Sequence, residues 1–234
     1  DFGILQKAAN HKNLNAIYYL SVFTLNGVYL PQDIPKALNS LTYLAVNCQY
    51  VDAQMLLFKY YLDPSHLDND KSLSFLRMAA DNNQPNAQFE LGCLYEKGTI
   101  FKQNIELAIY YFSLASNQNH ADAQMNLGSI YYKMNNIEKS LKYYTLSASN
   151  GNFTAQYNLG IWFYEGKVVK KNVEKAIKYF TDSAKQGFFL SQYNLARIYQ
   201  DDPNVITDIP KSLYYYKLAA DPKKGNYVKA QFIL

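Results

Sequence analysis

The sequence predicts an all-α fold: a right-handed α-α superhelix, or solenoid, of about six helix-turn-helix repeats plus a partial seventh, with 1–234 forming a single domain. Two ladders carry this expectation. Asp33, Asp68, Asn104, Asn136, Asn172 and Asp208 each stand four residues before an Ala or Ser that opens an apolar run of helical period, at spacings of 35, 36, 32, 36 and 36. In step with them, a second helix start recurs as Ala-Gln at Ala53, Ala87, Ala123, Ala155 and Ala230, and as Ser191-Gln192.

The first unit runs from Ala16 and Leu20 through a turn at Gly27 to Asp33 and Lys36-Ala37. Pro35 fits the first turn of the second helix, where no intrahelical donor is lost. Unit two repeats the scheme at Ala53, Leu57, Asp68, Lys71 and Ala79-Ala80. Unit three adds a mid-helix glycine, Gly92, and a turn glycine, Gly98, before its cap at Asn104. Unit four has Gly128 and a shorter turn, Lys133 to Asn136, which accounts for the 32-residue spacing. In unit five, Ala155, Leu159, Trp162 and Phe163 share one face at 100° per residue and are expected inside. Gly160 and the turn glycine Gly166 complete that unit. Unit six places Ala196 where the mid-helix glycine stood, with Asp208 as cap and Pro210 after it.

A glycine inside a helix costs about 1 kcal/mol relative to Ala, so its recurrence at one register implies close helix approach. The Asp and Asn caps accept hydrogen bonds from unpaired amides, each worth about 1 kcal/mol. Glu106, Glu138 and Glu174 add favourable charge in the first turn. Small residues late in the second helix (Ala45, Ala79, Ala115, Ala148, Ala184, Ala219) are expected to face the aromatic pairs Tyr111-Phe112, Tyr143-Tyr144, Tyr179-Phe180 and Tyr215-Tyr216, with those pairs filling the space between units.

These residues resemble Sel-1-like repeats, a relative of the tetratricopeptide-type helical arrays. The pattern of Ala, Leu-Gly, Tyr, turn Gly, Asp or Asn, Ala, Tyr and Ala is met at Ala87, Leu91-Gly92, Tyr95, Gly98, Asn104, Ala108, Tyr111 and Ala115, and again in units four and five. The resemblance implies a protein-interaction scaffold or adaptor, with no enzymatic activity and no cofactor. An array that regulates or positions an enzyme, even one in the same full-length chain, is the alternative; a helical repeat that binds RNA is a more remote one.

In such an array the first helices line a concave wall suited to an extended or helical peptide. Counting the opening Ala as position one, positions three, four, seven, ten and eleven point away from the core of the repeat. Position four carries Asn126, Asn158 and Asn194 in consecutive units, amides able to hydrogen-bond a peptide backbone or a neighbouring helix. Tyr157 at position three suits either a partner or the next unit. Ile161 and Arg197 at position seven, Tyr164 at position ten and Lys133 at position eleven vary against the regular background, as residues reading a specific partner would. These eight are the candidate partner-binding residues.

Other functions find little support. His11, His66 and His120 share no register and have no metal-ligand or triad spacing, and no phosphate-binding glycine loop is present. The net charge of +4 is small, and no basic ladder following the repeat is apparent, so nucleic acid is not an expected partner. The lysines from Lys167 to Lys178 read as a solvated face. No apolar run reaches the roughly 18 residues of a membrane span, and a monomer is expected. Cys48 and Cys93 fall at unrelated positions, which favours a reducing, cytoplasmic compartment, while the Asn152-Phe153-Thr154 acceptor triplet leaves the secretory pathway open. Asp1 and Leu234, the latter inside an expected helix, suggest a segment of a longer protein.

Overall fold

A computed structural model of the chain describes residues 2–100 and 102–221, and among these it contains thirteen α-helices and no strand. Contacts group the chain into two compact units, Asp1–Ala115 and Ser116–Leu234.

The first unit opens with α1 (Phe2–Asn10), which packs on α2 (Leu14–Asn26). The sequence reading assigned no element there. The hairpins that follow pair α2 with α3 (Ile34–Asn47), α4 (Val51–Leu62) with α5 (Asn69–Asp81), and α6 (Pro85–Lys97) with α7 (Ile105–Asn117). The core runs through Leu41, Leu44, Leu57, Leu76 and Leu91, each fully buried. In the second unit α8 (Ala121–Lys133) pairs with α9 (Ile137–Ser149), α10 (Phe153–Glu165) with α11 (Val173–Lys185), and α12 (Phe189–Asp201) with α13 (Ile209–Ala220). The expected partial seventh repeat at Ala230 lies outside the described residues.

All six expected caps form. Asp33, Asp68, Asn104, Asn136, Asn172 and Asp208 accept from the amides of Lys36, Lys71, Leu107, Lys139, Lys175 and Lys211 at 2.8–3.1 Å. Four residues on, Ala37, Ala108 and Ala176 are buried, and the Ser variants reach back to the first helix of their own hairpin. Ser72 Oγ donates to Phe58 O, Ser140 Oγ to Gly128 O and Ser212 Oγ to Ala196 O.

The mid-helix glycines meet rings. A Cβ built on Gly92, Gly128 or Gly160 would lie 2.6, 2.6 or 2.5 Å from Phe112, Tyr144 or Phe180. The helix propensity lost at each glycine is offset by burying a whole ring against bare backbone.

This placement corrects the expectation for the aromatic pairs, which fill space mainly within a hairpin. The second ring of each pair sits on its own glycine, or in unit six at the register of Ala196. The first ring stacks nearly parallel on a ring of its own first helix: Tyr111 on Tyr95, Tyr143 on Tyr131, Tyr179 on Phe163 and Tyr215 on Tyr199, at 5.5–6.1 Å with interplanar angles of 3–7°. Phe75 on Tyr61 follows the same rule. Tyr144 also reaches the next hairpin, edge-on to Trp162.

A basic ladder does exist, contrary to the sequence reading, and its role is internal. The third residue after the cap is Lys36, Lys71, Lys139, Lys175 or Lys211. The last four place Nζ 4.6–5.2 Å from the ring centroid of the stacked pair's first-helix member. Such cation–π contacts at exposed sites contribute about 0.5–1 kcal/mol each.

Successive hairpins are joined by a second device, the buried glutamine that follows each opening Ala or Ser. Gln54, Gln88, Gln124, Gln156 and Gln192 donate Nε2 to the carbonyls of Ala45, Ala80, Ser116, Ala148 and Ala184, near the end of the preceding second helix. The other side of three of these amides is also used: Gln54, Gln124 and Gln156 accept at Oε1 from Asn82, Asn150 and Gln186, just past the second helix of the same hairpin. At the matching register of unit six the sequence has Pro222, whose side chain has no donor, and Gln192 Oε1 is buried without a hydrogen-bond partner.

The turns follow the backbone demands foreseen. Gly27, Gly98 and Gly166 close their helices in the left-handed conformation at φ of 68–71°. In the shorter turn of unit four, Asn135 takes that conformation instead, at φ 58°.

Candidate partner-binding face

All eight candidate residues lie on α8, α10 and α12, within the second compact unit. Asn126 is half-buried on α8 and Lys133 is exposed at that helix's end. The three asparagines do not form a uniform amide row. The Asn158 amide is directed to the Tyr144 hydroxyl of the preceding hairpin, which also lies 3.0 Å from Ser129 Oγ. Asn194 turns Nδ2 onto its own helix, donating to Leu190 O at 2.9 Å. Burial pushes the Tyr144 phenol above its ordinary pKa, and the bonds from Ser129 and Asn158 oppose that shift.

Tyr157, Ile161 and Tyr164 are half-buried and pack against the cluster of Ala176, Phe180, Leu195 and Ile198. Tyr157 touches Phe180 and meets Phe188 edge-on at 5.2 Å. Positions three, seven and ten of α10 therefore serve the seam with the following hairpin. A period of 36 fixes which residues share a register, but not which neighbour each one faces.

Arg197 stands exposed over the face of Tyr193, its guanidinium carbon 6.0 Å from the ring centroid. Just past the end of α12, Asp202 is only 7% exposed. Burial raises its carboxyl pKa, but the backbone and side-chain amides of Asn204, at 2.8 and 3.0 Å, the Tyr164 hydroxyl and the Lys171 charge outweigh burial and hold it below the ordinary range. Tyr164 moves the opposite way, raised by its own burial and by the Asp202 charge.

The sequence reading missed Tyr132. It is 45% exposed on α8 and rests on Trp162 at 5.3 Å between ring centroids. Its signal was present, since it holds position ten, the register that singled out Tyr164. The acceptor triplet has a structural use: Asn152 caps α10 by accepting from Ala155 N at 2.8 Å and donates Nδ2 to Asp122 at 2.7 Å. Among the described residues no group of three His, Cys, Asp or Glu could hold a metal ion, and no helix is long and apolar enough to cross a membrane.

A model of the Sel1 repeat matches residues 14–39, 51–84, 85–120, 121–152, 154–188 and 190–221. The crystal structure of c5321, a protective antigen of uropathogenic Escherichia coli displaying an SLR fold, superposes with a TM-score of 0.86 at 24% identity, covering 100% of this chain and 50% of that one. A Sel1 repeat protein from Oxalobacter formigenes superposes with a TM-score of 0.81 at 26% identity, covering 98% and 68%. The rat DAP3-binding cell death enhancer 1 is 28% identical over 92 residues, 39% of this chain. That match spans only 18% of the rat protein.

Proposed function

The chain belongs to the Sel1 repeat family, and from that membership we propose that it is a protein-interaction scaffold whose first helices in residues 116–221 receive a segment of a partner protein. The fold it shares with its solved neighbours generally serves protein–protein interaction, and catalysis has no part in the role proposed here. The rat relative's name records a binding partner of its own, DAP3.

One observation supports this face over others. Caps, glycine-seated rings, lysine-covered stacks and buried glutamines are all used in holding hairpins together, and they recur from unit to unit. Of the exposed residues outside that scheme on α8 and α12, Arg197 stands where neighbouring units carry Ser129 and Ile161, Tyr132 is followed at its register by Tyr164 and Gln200, and Lys133 by Glu165 and Asp201. A surface that varies on a fixed frame is where a partner is told from its competitors, and Tyr and Arg are enriched at such anchors.

Site-directed photocrosslinking tests the reading. A benzoylphenylalanine placed at Tyr132 is expected to capture partner protein from the source cells, whereas one placed at Lys142 on the exposed side of α9 is not. Capture confined to Lys142 would refute the assignment of the face.

A further inference from the structure

We propose that the Arg197 guanidinium receives an Asp or Glu side chain of the partner, so that the bound segment is an acidic, extended stretch of protein. The inference rests on the reading of the first helices as the partner-binding face and adds the chemistry of what is read there.

Arg197 projects from the middle of α12 into solvent, backed by the Tyr193 ring and close enough to the Tyr164 and Tyr216 phenols to influence both. The Tyr164 and Tyr216 phenols are already committed. The Tyr164 hydroxyl and both Asn204 amides serve the Asp202 carboxylate, and the Tyr216 hydroxyl donates to Gln200 Oε1 at 2.9 Å. Asp201, one turn further along α12, makes no ion pair with the guanidinium. A planar set of five N–H donors is thus left facing outward with no acceptor of its own.

The Tyr193 ring beneath it gives a cation–π contact that favours this position of the guanidinium, and a carboxylate can take two parallel N–H bonds from it. An amide or hydroxyl offers no charge to match. The wider field favours the same ligand: residues 116–234 hold fifteen Lys and Arg against nine Asp and Glu, whereas residues 1–115 hold eight against ten. An acidic segment is therefore drawn toward the half of the chain that carries Arg197.

Fluorescence anisotropy on the full chain tests this with a labelled, C-terminally amidated peptide of repeating Tyr-Glu-Gly and its Tyr-Gln-Gly counterpart. The Glu peptide is expected to bind about tenfold more tightly, the scale of one charge-assisted bidentate contact. Arg197→Gln should abolish that preference and Arg197→Lys should keep only part of it, since an ammonium retains charge but loses the planar fork. Both variants lie on an exposed side chain, and unchanged circular-dichroism melting will confirm that they fold. Equal binding of the two peptides, or a preference that persists in Arg197→Gln, would overturn the inference. So would a Tyr-Gln-Gly peptide that matches the Glu peptide once its terminal carboxylate is free, because the ligand would then be a chain end. The crosslinking result at Tyr132 is read separately, so failure of the acidic preference leaves the choice of face standing or falling on its own.

Discussion

The ring of Phe180 lies flat on the backbone of Gly160, and a methyl group added at that glycine would stand 2.5 Å from ring carbon Cε1. Phe180 is fully buried and belongs to the same core as Leu195 and Ile198, so the ring has no free direction in which to retreat.

Gly160→Ala is accordingly expected to destabilise the protein even though Ala is the better helix former. Overpacking of a filled core costs about 1–3 kcal/mol, which exceeds the gain of about 1 kcal/mol in propensity. Urea denaturation will show it as a lowered midpoint, and an unchanged or raised midpoint would mean that the helices separate freely.

Leu159→Ala removes a fully buried side chain one residue earlier. The loss should be about 2–5 kcal/mol, the usual range for a Leu cavity that its surroundings cannot fill. The same urea titration measures it, and a loss below 1 kcal/mol would contradict the packing described.

The glutamine ladder predicts an asymmetry between two chemically identical changes. Gln156→Leu removes two hydrogen bonds, to Ala148 O and from Gln186 Nε2, each worth about 0.5–1.5 kcal/mol net, while Ala148 O keeps Gly151 N and Gln186 Nε2 keeps Gly151 O. Gln192→Leu removes only the bond to Ala184 O, which keeps Gly187 N, and also removes an oxygen that already lacks a partner, so its cost should be clearly smaller. Equal losses in thermal unfolding would show that the second set of bonds contributes nothing.

Asp202 ties acid stability to the loop before α13. Its carboxyl pKa is depressed in the folded chain, so its contribution is complete above the pKa of the unfolded chain and disappears as pH falls through the lower folded value. Melting temperatures followed downward from pH 5 should drop less steeply in Asp202→Asn than in the parent. Parallel curves would exclude the carboxylate as a source of the acid dependence.

Much of the frame was legible before any coordinates, because caps and core positions are local facts. A side chain at Asn136 caps whichever helix follows it, and Leu159 is inside wherever its neighbours lie. What escaped the sequence depended on the identity of the facing surface. Gln156 marked a helix start, but its partners sit 8 residues back and 30 residues ahead. Lys139, Lys175 and Lys211 recur plainly, yet their purpose appears only once Tyr131, Phe163 and Tyr199 are seen beneath them. The candidate face was the least legible part: Asn158 and Asn194 share a register but are directed to different neighbours.

The two kinds of fastening also differ in how far along the chain they reach. Tyr131 and Tyr143 are twelve residues apart and Phe163 and Tyr179 sixteen, so closing these stacks draws only a short loop together. Gln156 reaches only eight residues back to the carbonyl of Ala148, but that carbonyl belongs to the preceding hairpin, which must already be in place. Assembly in time should therefore proceed hairpin by hairpin, each docking on its finished predecessor, and this low-contact-order route suits rapid folding.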